Sequence, residues 1–162
     1  MIEKYLESVA YFSPCRTWRY SLTRRWDMFN GRFMLFVGLN PSTADEHDDD
    51  PTIRRCVGFA KREEFGGIVM LNLFAFQSKK PKDMLNAEDP IGPENDSVIM
   101  NYDGQGHKVV AVWGNSGSFR DRDLAVQNLI MQPIYCFGLT LDGFPKHPLY
   151  LRADTKMILL QR

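Results

Sequence analysis

Three asparagines and a histidine stand where an α/β chain can do chemistry. Asn40, Asn72 and Asn115 follow short apolar runs, in Gly38-Leu39-Asn40-Pro41-Ser42, Asn72-Leu73-Phe74-Ala75-Phe76 and Trp113-Gly114-Asn115-Ser116-Gly117. His147 lies in Pro145-Lys146-His147-Pro148. A primary amide carries a donor and an acceptor without charge, which suits it to read a base edge or to hold a water. Each residue also has a plainer reading. Asn before Pro initiates turns, so Asn40-Pro41 can be only that. Asn72 can cap the next turn, and His147 can be a solvent-exposed imidazole. Phe74 and Phe76 suit a core or a pocket wall, where one ring face can stack on a base. Trp113 ends an apolar run and is expected to be buried.

Two charged clusters accompany these residues. Asp45-Glu46-His47-Asp48-Asp49-Asp50 offers the oxygens that hard cations bind, but its spacing matches no known metal loop. The reading favoured is a solvated acidic turn that ends in a helix cap at Asp50 and would repel a phosphate backbone. Arg16, Arg19, Arg24 and Arg25 crowd the segment Arg16 to Trp26, which suits an edge strand or hairpin whose charge resists aggregation, or else a strip for phosphate.

The elements that must position these groups follow from four apolar runs ending in turn chemistry: Phe33 to Val37 before Gly38, Ile68 to Leu71 before Asn72, Val109 to Trp113 before Gly114, and Ile134 to Phe137 before Gly138. Continuous apolar runs of this length fit strands covered on both faces, which favours parallel pairing. Helical patterns lie between them. One opens at Asp50-Pro51-Thr52, sets Ile53, Cys56, Val57 and Ala60 on one face, and stops at Gly66-Gly67. A second begins near Glu94-Asn95-Asp96, and a third spans Arg120 to Met131 with Leu124, Val126, Leu129 and Ile130 apolar. The order predicts a three-layer α/β/α fold with a mainly parallel four-stranded central sheet plus an N-terminal edge strand or hairpin. Ligands in such sheets bind beyond the carboxyl ends of the strands, where the asparagines lie.

The chain has 162 residues, 44% of them hydrophobic, and no repeat or linker, so one domain is expected over residues 1–162. Twenty Lys and Arg balance twenty Asp and Glu, which excludes a general electrostatic pull onto DNA or anionic membranes. Cys15, Cys56 and Cys136 form no C-x-x-C pair, against a disulfide framework or a zinc or iron–sulfur site, and are expected as reduced, mostly buried thiols. The segment Met1 to Glu7 lacks the order of a signal peptide, and no run reaches the ~18 apolar residues of a membrane span. A cytoplasmic location is expected by elimination, with no membrane partner, no metal and no cofactor.

Taken in order, Gly38-Leu39-Asn40-Pro41-Ser42, Leu71-Asn72-Leu73, Val112-Trp113-Gly114 and His147-Pro148 resemble the motifs of the uracil-DNA glycosylase superfamily. More closely, Gly38 to Arg55, Asp89 to Asn95 and Lys146 to Leu151 are similar to domain-of-unknown-function family 1643, a bacterial and phage family, over most of the chain from about Met34 onward. The superfamily resemblance implies that Asn40 positions a water, that Asn72 reads the base and that His147 stabilises the departing base anion. Leu149 and Tyr150 follow His147-Pro148 where the superfamily usually has a serine, so the usual clamp on the DNA backbone does not carry over. The glycosylase branches with an iron–sulfur cluster need four cysteines and are excluded.

The resemblance makes Asn40 and His147 the candidate catalytic residues. Gly38, Pro41, Ser42, Asn72, Phe74, Trp113, Gly114 and Asn115 are the candidate substrate contacts, with Gly38 and Gly114 letting backbone amides approach the ligand. The function expected is an N-glycosidic hydrolase acting on a base in DNA or on a nucleoside or nucleotide. A non-catalytic module binding a nucleotide or modified base, in phage defence or counter-defence, is the alternative. A metal-dependent hydrolase on Asp45 to Asp50 is a third reading.

Overall fold

Each of the four apolar runs becomes a strand, and three further strands flank them. The computed structural model describes residues 4–105 and 108–161, so Met1 to Glu3 of the segment screened for a leader lie outside the described residues. In chain order the strands are β1 (Glu7–Phe12), β2 (Arg19–Arg25), β3 (Phe33–Gly38), β4 (Gly67–Asn72), β5 (Lys108–Ala111), β6 (Ile134–Cys136) and β7 (Ile158–Leu159). The helices are α1 (Pro51–Arg62), α2 (Pro81–Leu85), α3 (Asn95–Asp103) and α4 (Arg122–Leu129).

Among the described residues the strands form one mixed sheet of seven, in the order β1-β2-β4-β3-β5-β6-β7. The central pairs β4–β3, β3–β5 and β5–β6 are parallel. The pairs β1–β2, β2–β4 and β6–β7 are antiparallel. The expectation of a mainly parallel, four-stranded sheet is therefore corrected: the sheet has more strands and more antiparallel pairing. Its N-terminal addition is a hairpin, and β2 is no edge, since β1 covers one side of it and β4 the other. The short β7 escapes a sequence reading because its two residues, Ile158 and Leu159, are half exposed and carry no buried-strand pattern.

Alternate residues of the parallel strands feed two cores. Met34, Phe36, Ile68, Met70, Val110 and Val112 pack with Ile53, Cys56, Val57 and Ala60 of α1. Leu35, Val37, Val69, Leu71, Val109 and Ala111 pack with Met84 of α2, Ile99 of α3 and Val126 of α4. Helices thus cover both faces, which is why the strands read as unbroken apolar runs. Burying each such aliphatic side chain contributes ~1.5–3 kcal/mol, enough to set the strand register firmly.

α1 begins as its sequence demands. Asp50 Oδ1 accepts the Ile53 N–H at 2.9 Å, and Pro51 occupies the first turn, where no N–H is needed. Its end lies earlier than Gly66-Gly67: the chain turns out of the helix after Arg62, with Glu64 at φ 60°. Gly66 serves a different need, since a Cβ there would meet Asn30 O at 1.9 Å. The third predicted helix is also shortened. A 3-10 turn over Asn115–Asp121 ends at Arg120 and Asp121, with φ of 54° and 52°, and α4 starts only at Arg122. That break rotates the apolar stripe, leaving Leu124 exposed and burying Arg122 instead.

The arginine-rich segment is neither a solvated edge nor an open strip. Arg19 and Arg24 are buried, and Arg24 Nε meets Asp49 Oδ1 at 2.9 Å while its Nη2 donates to Asp45 O and Asp48 O. Arg16 pairs with Glu46, and Lys4 and Tyr5 close on Asp49 Oδ2. The acidic turn is thus pinned by the N-terminal hairpin and the residues before it, with Asp49 and Glu46 paired to their cations. Of the cysteines, Cys56 and Cys136 are buried, in keeping with mostly buried thiols, and Cys15 is exposed. Hydrogen bonds with Ser13 and then Thr17 lower the Cys15 thiol to about 7. Among the described residues no helix is long and apolar enough to cross a membrane.

Candidate functional site

The central strands run in the order β4-β3-β5-β6, so the chain leaves β3 first to one side and then returns to pair on the other. A crevice opens at such a reversal, beyond the carboxyl ends of the strands. Here the crevice is a cavity of about 440 Å³, within the range of small-ligand sites.

Its floor is built by a close approach. Gly38 pairs with Asn72 across β3 and β4, and a Cβ at Gly38 would lie 2.9 Å from Asn72 Oδ1. Only a glycine lets that amide occupy the strand end. Asn72 is 3% exposed and its Nδ2 has no hydrogen-bond partner among the described residues. The backbone behind it is fixed, because Asn95 Nδ2 donates to Asn72 O and Leu73 O, and Arg122 Nε donates to Leu73 O at 2.7 Å.

Beyond the strands the two exits remain zipped. Leu73 N–H bonds Gly38 O and Phe74 N–H bonds Leu39 O, each at 2.9 Å. Asn40 Nδ2 donates to the carbonyls of Pro41, Phe76 and Ser78. Its Oδ1 is the half of the amide without a protein donor among the described residues, at a side chain that lines the cavity.

His147 comes to the same cavity from the far end of the chain. Gly114, at φ 72°, donates its N–H to Pro145 O and ties the loop to the exit of β5. Arg55 of α1 donates to Pro148 O and Leu151 O, fixing the turn that follows. His147 Nδ1 accepts the Leu149 N–H at 3.3 Å, so the neutral ring carries its proton on Nε2 and can donate from there. Burial lowers the His147 pKa from 6.5, with Asp50 pulling partly the other way. The neutral donor form therefore prevails at neutral pH.

Of the predicted contacts, Gly38, Asn40, Ser42, Asn72, Trp113 and His147 share this one cavity. Others do not join them. Phe74 is fully buried and packs tilted against Phe119, centroids 5.8 Å apart, because the chain past the end of β4 turns both Leu73 and Phe74 into the core with Ile99 of α3 and Val126 of α4. Pro41 is buried and contributes its carbonyl to the exit. Gly114 and Asn115 line a neighbouring depression with Thr140 and Lys146, and the Asn115 amide is engaged by Asp142 and Thr140. His147 and Tyr150 border both spaces.

Sequence reasoning missed two members. Asp50 was legible as a cap, but its carboxylate also lines the cavity, 8% exposed, with Oδ2 free of protein donors among the described residues. Arg19 was read as part of a charged edge or else of a strip for phosphate, and it is a buried wall residue, 2% exposed. Tyr150, 85% exposed, stands at the rim with its ring 5.9 Å from that of His147. Among the described residues no three His, Cys, Asp or Glu side chains group to hold a metal ion. The acidic-turn carboxylates instead bind the hairpin's cations, their own turn's N–H groups and the cap of α1.

Fold and site together define a mixed α/β protein with a ligand-sized polar cavity at its parallel strand ends. The chain belongs to the family described as a protein of unknown function (DUF1643), whose family model matches residues 19–149. That match takes in β2 through the His147 turn, and so the whole described wall of the cavity except Tyr150. No curated protein matches the chain. No solved structure matches it either.

Proposed function

We propose that the cavity takes a nucleobase with its sugar and that the chain hydrolyses the N-glycosidic bond between them, as the likeness of its motifs to uracil-DNA glycosylases implies. One observation supports this above the others: Asn40, Asn72 and His147, distant in sequence, line one cavity together with the carboxylate of Asp50. Asn72 offers an unpartnered Nδ2 to a base carbonyl. Asn40 Oδ1 accepts from a water and orients it. Asp50 Oδ2 takes the proton that this water gives up on attacking the anomeric carbon, a role closed to an amide. The C–N bond breaks with its electron pair passing to the base, and His147 Nε2–H donates to the base oxygen where that charge gathers.

The test is release of free base from a panel of nucleosides, nucleotides and oligonucleotides with ordinary and deaminated bases. His147→Ala and Asn72→Ala are expected to lose about 10²–10³-fold in rate while keeping the circular-dichroism spectrum. A panel that yields no base removes the reading.

A non-catalytic nucleotide-binding module is the second reading. It is favoured by the commitment of Asn40 Nδ2 to three carbonyls and of Asp50 Oδ1 to the cap of α1, which are structural duties. Tight calorimetric binding without turnover would assign it.

A further inference from the structure

Arg19 is the charged group that the proposed reaction leaves unexplained. It is 2% exposed, its Nη1 donates to Ala44 O at 2.7 Å, and its Nε has no acceptor among the described residues. Among the described residues no carboxylate lies within ion-pairing distance of it, whereas buried Arg24 and Arg122 close on Asp49 and Asp96 at 2.9 and 2.5 Å. A buried guanidinium without a counter-ion costs folding free energy, since its lost hydration is not replaced. Burial lowers its pKa to about 10, partly offset by Asp50, so it stays protonated at neutral pH.

What surrounds Arg19 in the cavity is rich in donors. The N-terminus of α1 forms part of the wall, as Pro51, Thr52 and Ile53. Pro51 has no N–H, Asp50 takes that of Ile53, and Arg54 bonds Asp50 O, which leaves the Thr52 N–H at the positive end of a twelve-residue helix. The Asn72 Nδ2 is buried and unpartnered as well. Lys79 adds an exposed cation at the rim. Among the described lining residues Asp50 is the one carboxylate, and one of its oxygens is turned onto the helix cap.

From this arrangement we infer that Arg19 and the N-terminus of α1 form an anion subsite within the cavity, which takes the terminal phosphoryl group of a nucleoside monophosphate. The guanidinium fork and the helix N–H groups both match phosphoryl oxygens. A terminal group can reach a guanidinium this deeply buried, whereas a phosphodiester would have to bring chain in on both sides of it. The inference deepens the reading above and rests on it for the base. Of the substrates expected, a base in DNA, a nucleoside or a nucleotide, it selects the free nucleotide.

Calorimetry with a nucleoside, its 5′-monophosphate and inorganic phosphate at low salt tests it, on the wild type and on Arg19→Met. The wild type is expected to bind the monophosphate about 10- to 100-fold more tightly than the nucleoside, the gain typical of a charge-assisted hydrogen bond. Arg19→Met is expected to erase that ratio, to leave nucleoside affinity unchanged, and to hold or raise the melting temperature of the free protein, because an unpaired buried charge is gone. Equal wild-type affinity for nucleoside and monophosphate overturns the inference, and so does a preference that survives in Arg19→Met. Should that variant not fold, the wild-type ratio decides alone. Inorganic phosphate binding as tightly as the monophosphate overturns the nucleotide as the source of the anion. A preference for the monophosphate with no base released supports the subsite while the hydrolytic reading falls.

Discussion

Asp50 and His147 meet the cavity from opposite ends of the sequence, and their coupling can be measured without any ligand. Burial lowers the His147 pKa from 6.5 and the Asp50 charge raises it back in part. Removing that charge should therefore lower the pKa further. We predict that the His147 ring titrates below 6.5 by NMR and titrates lower still in Asp50→Asn, whose amide oxygen keeps the cap. An unchanged or higher value in the variant would break the proposed pairing of the two groups. At this scale the sequence disclosed Asn40, Asn72 and His147, because strand ends are where an α/β fold leaves side chains free. It offered Phe74 both as core and as ligand contact, and the chain leaves the strand alternation after Asn72, so that Leu73 and Phe74 both turn into the core. It named Arg19 but not its burial in the cavity wall, because the acceptor that holds it is a backbone carbonyl twenty-five positions away and has no signature in side-chain types.

The pairing of the N-terminal hairpin with the acidic turn is the interaction between elements that matters most to the site. The turn over residues 44–50 joins the exit of β3 to the cap of α1, so it sets where Asp50 and the helix N-terminus stand. Asp49 is its anchor: burial pushes that carboxyl up, but hydrogen bonds from Lys4, Tyr5 and Arg24 outweigh it and hold the pKa below 3.8. A carboxyl depressed in the folded state stabilises the fold fully above its unfolded pKa and loses that contribution as pH falls through its folded value. Denaturation midpoints measured above and below 3.8 are expected to drop in the wild type and to drop less in Asp49→Asn, which starts lower. Equal slopes would show that Asp49 is not the acid-sensitive anchor. The four core strands and the start of α1 were legible because apolar runs and an Asp-Pro cap act locally. The start of the third helix was not, because the break before it depends on Arg120 and Asp121 adopting positive φ so that Arg122 can reach Leu73 O.

Across the whole molecule, the family match begins at Arg19 and leaves β1 outside it. Yet β1 and the residues before it supply Lys4, Tyr5 and Ser8 to the acidic turn and cover the outer side of β2. Removing residues 1–12 would turn the buried strand β2 into an open edge. The truncated chain is expected to associate in size-exclusion chromatography and to unfold at lower denaturant than the full chain. A monomeric product of unchanged stability would show that the family-matched span folds without β1. The parallel centre of the sheet could be anticipated from its unbroken apolar runs and the helical patterns between them. Its antiparallel margins could not, because β7 is two exposed residues and β2 hides its burial behind arginines.

Asn40 donates to three carbonyls and is followed by Pro41. Asparagine ages to aspartate chiefly when the next backbone nitrogen attacks the amide to form a succinimide, and a proline nitrogen carries no hydrogen to permit that attack. The same neighbour that shapes the turn therefore shields Asn40 from slow deamidation, whose product would set a negative charge against three carbonyl dipoles and prise the two strand exits apart.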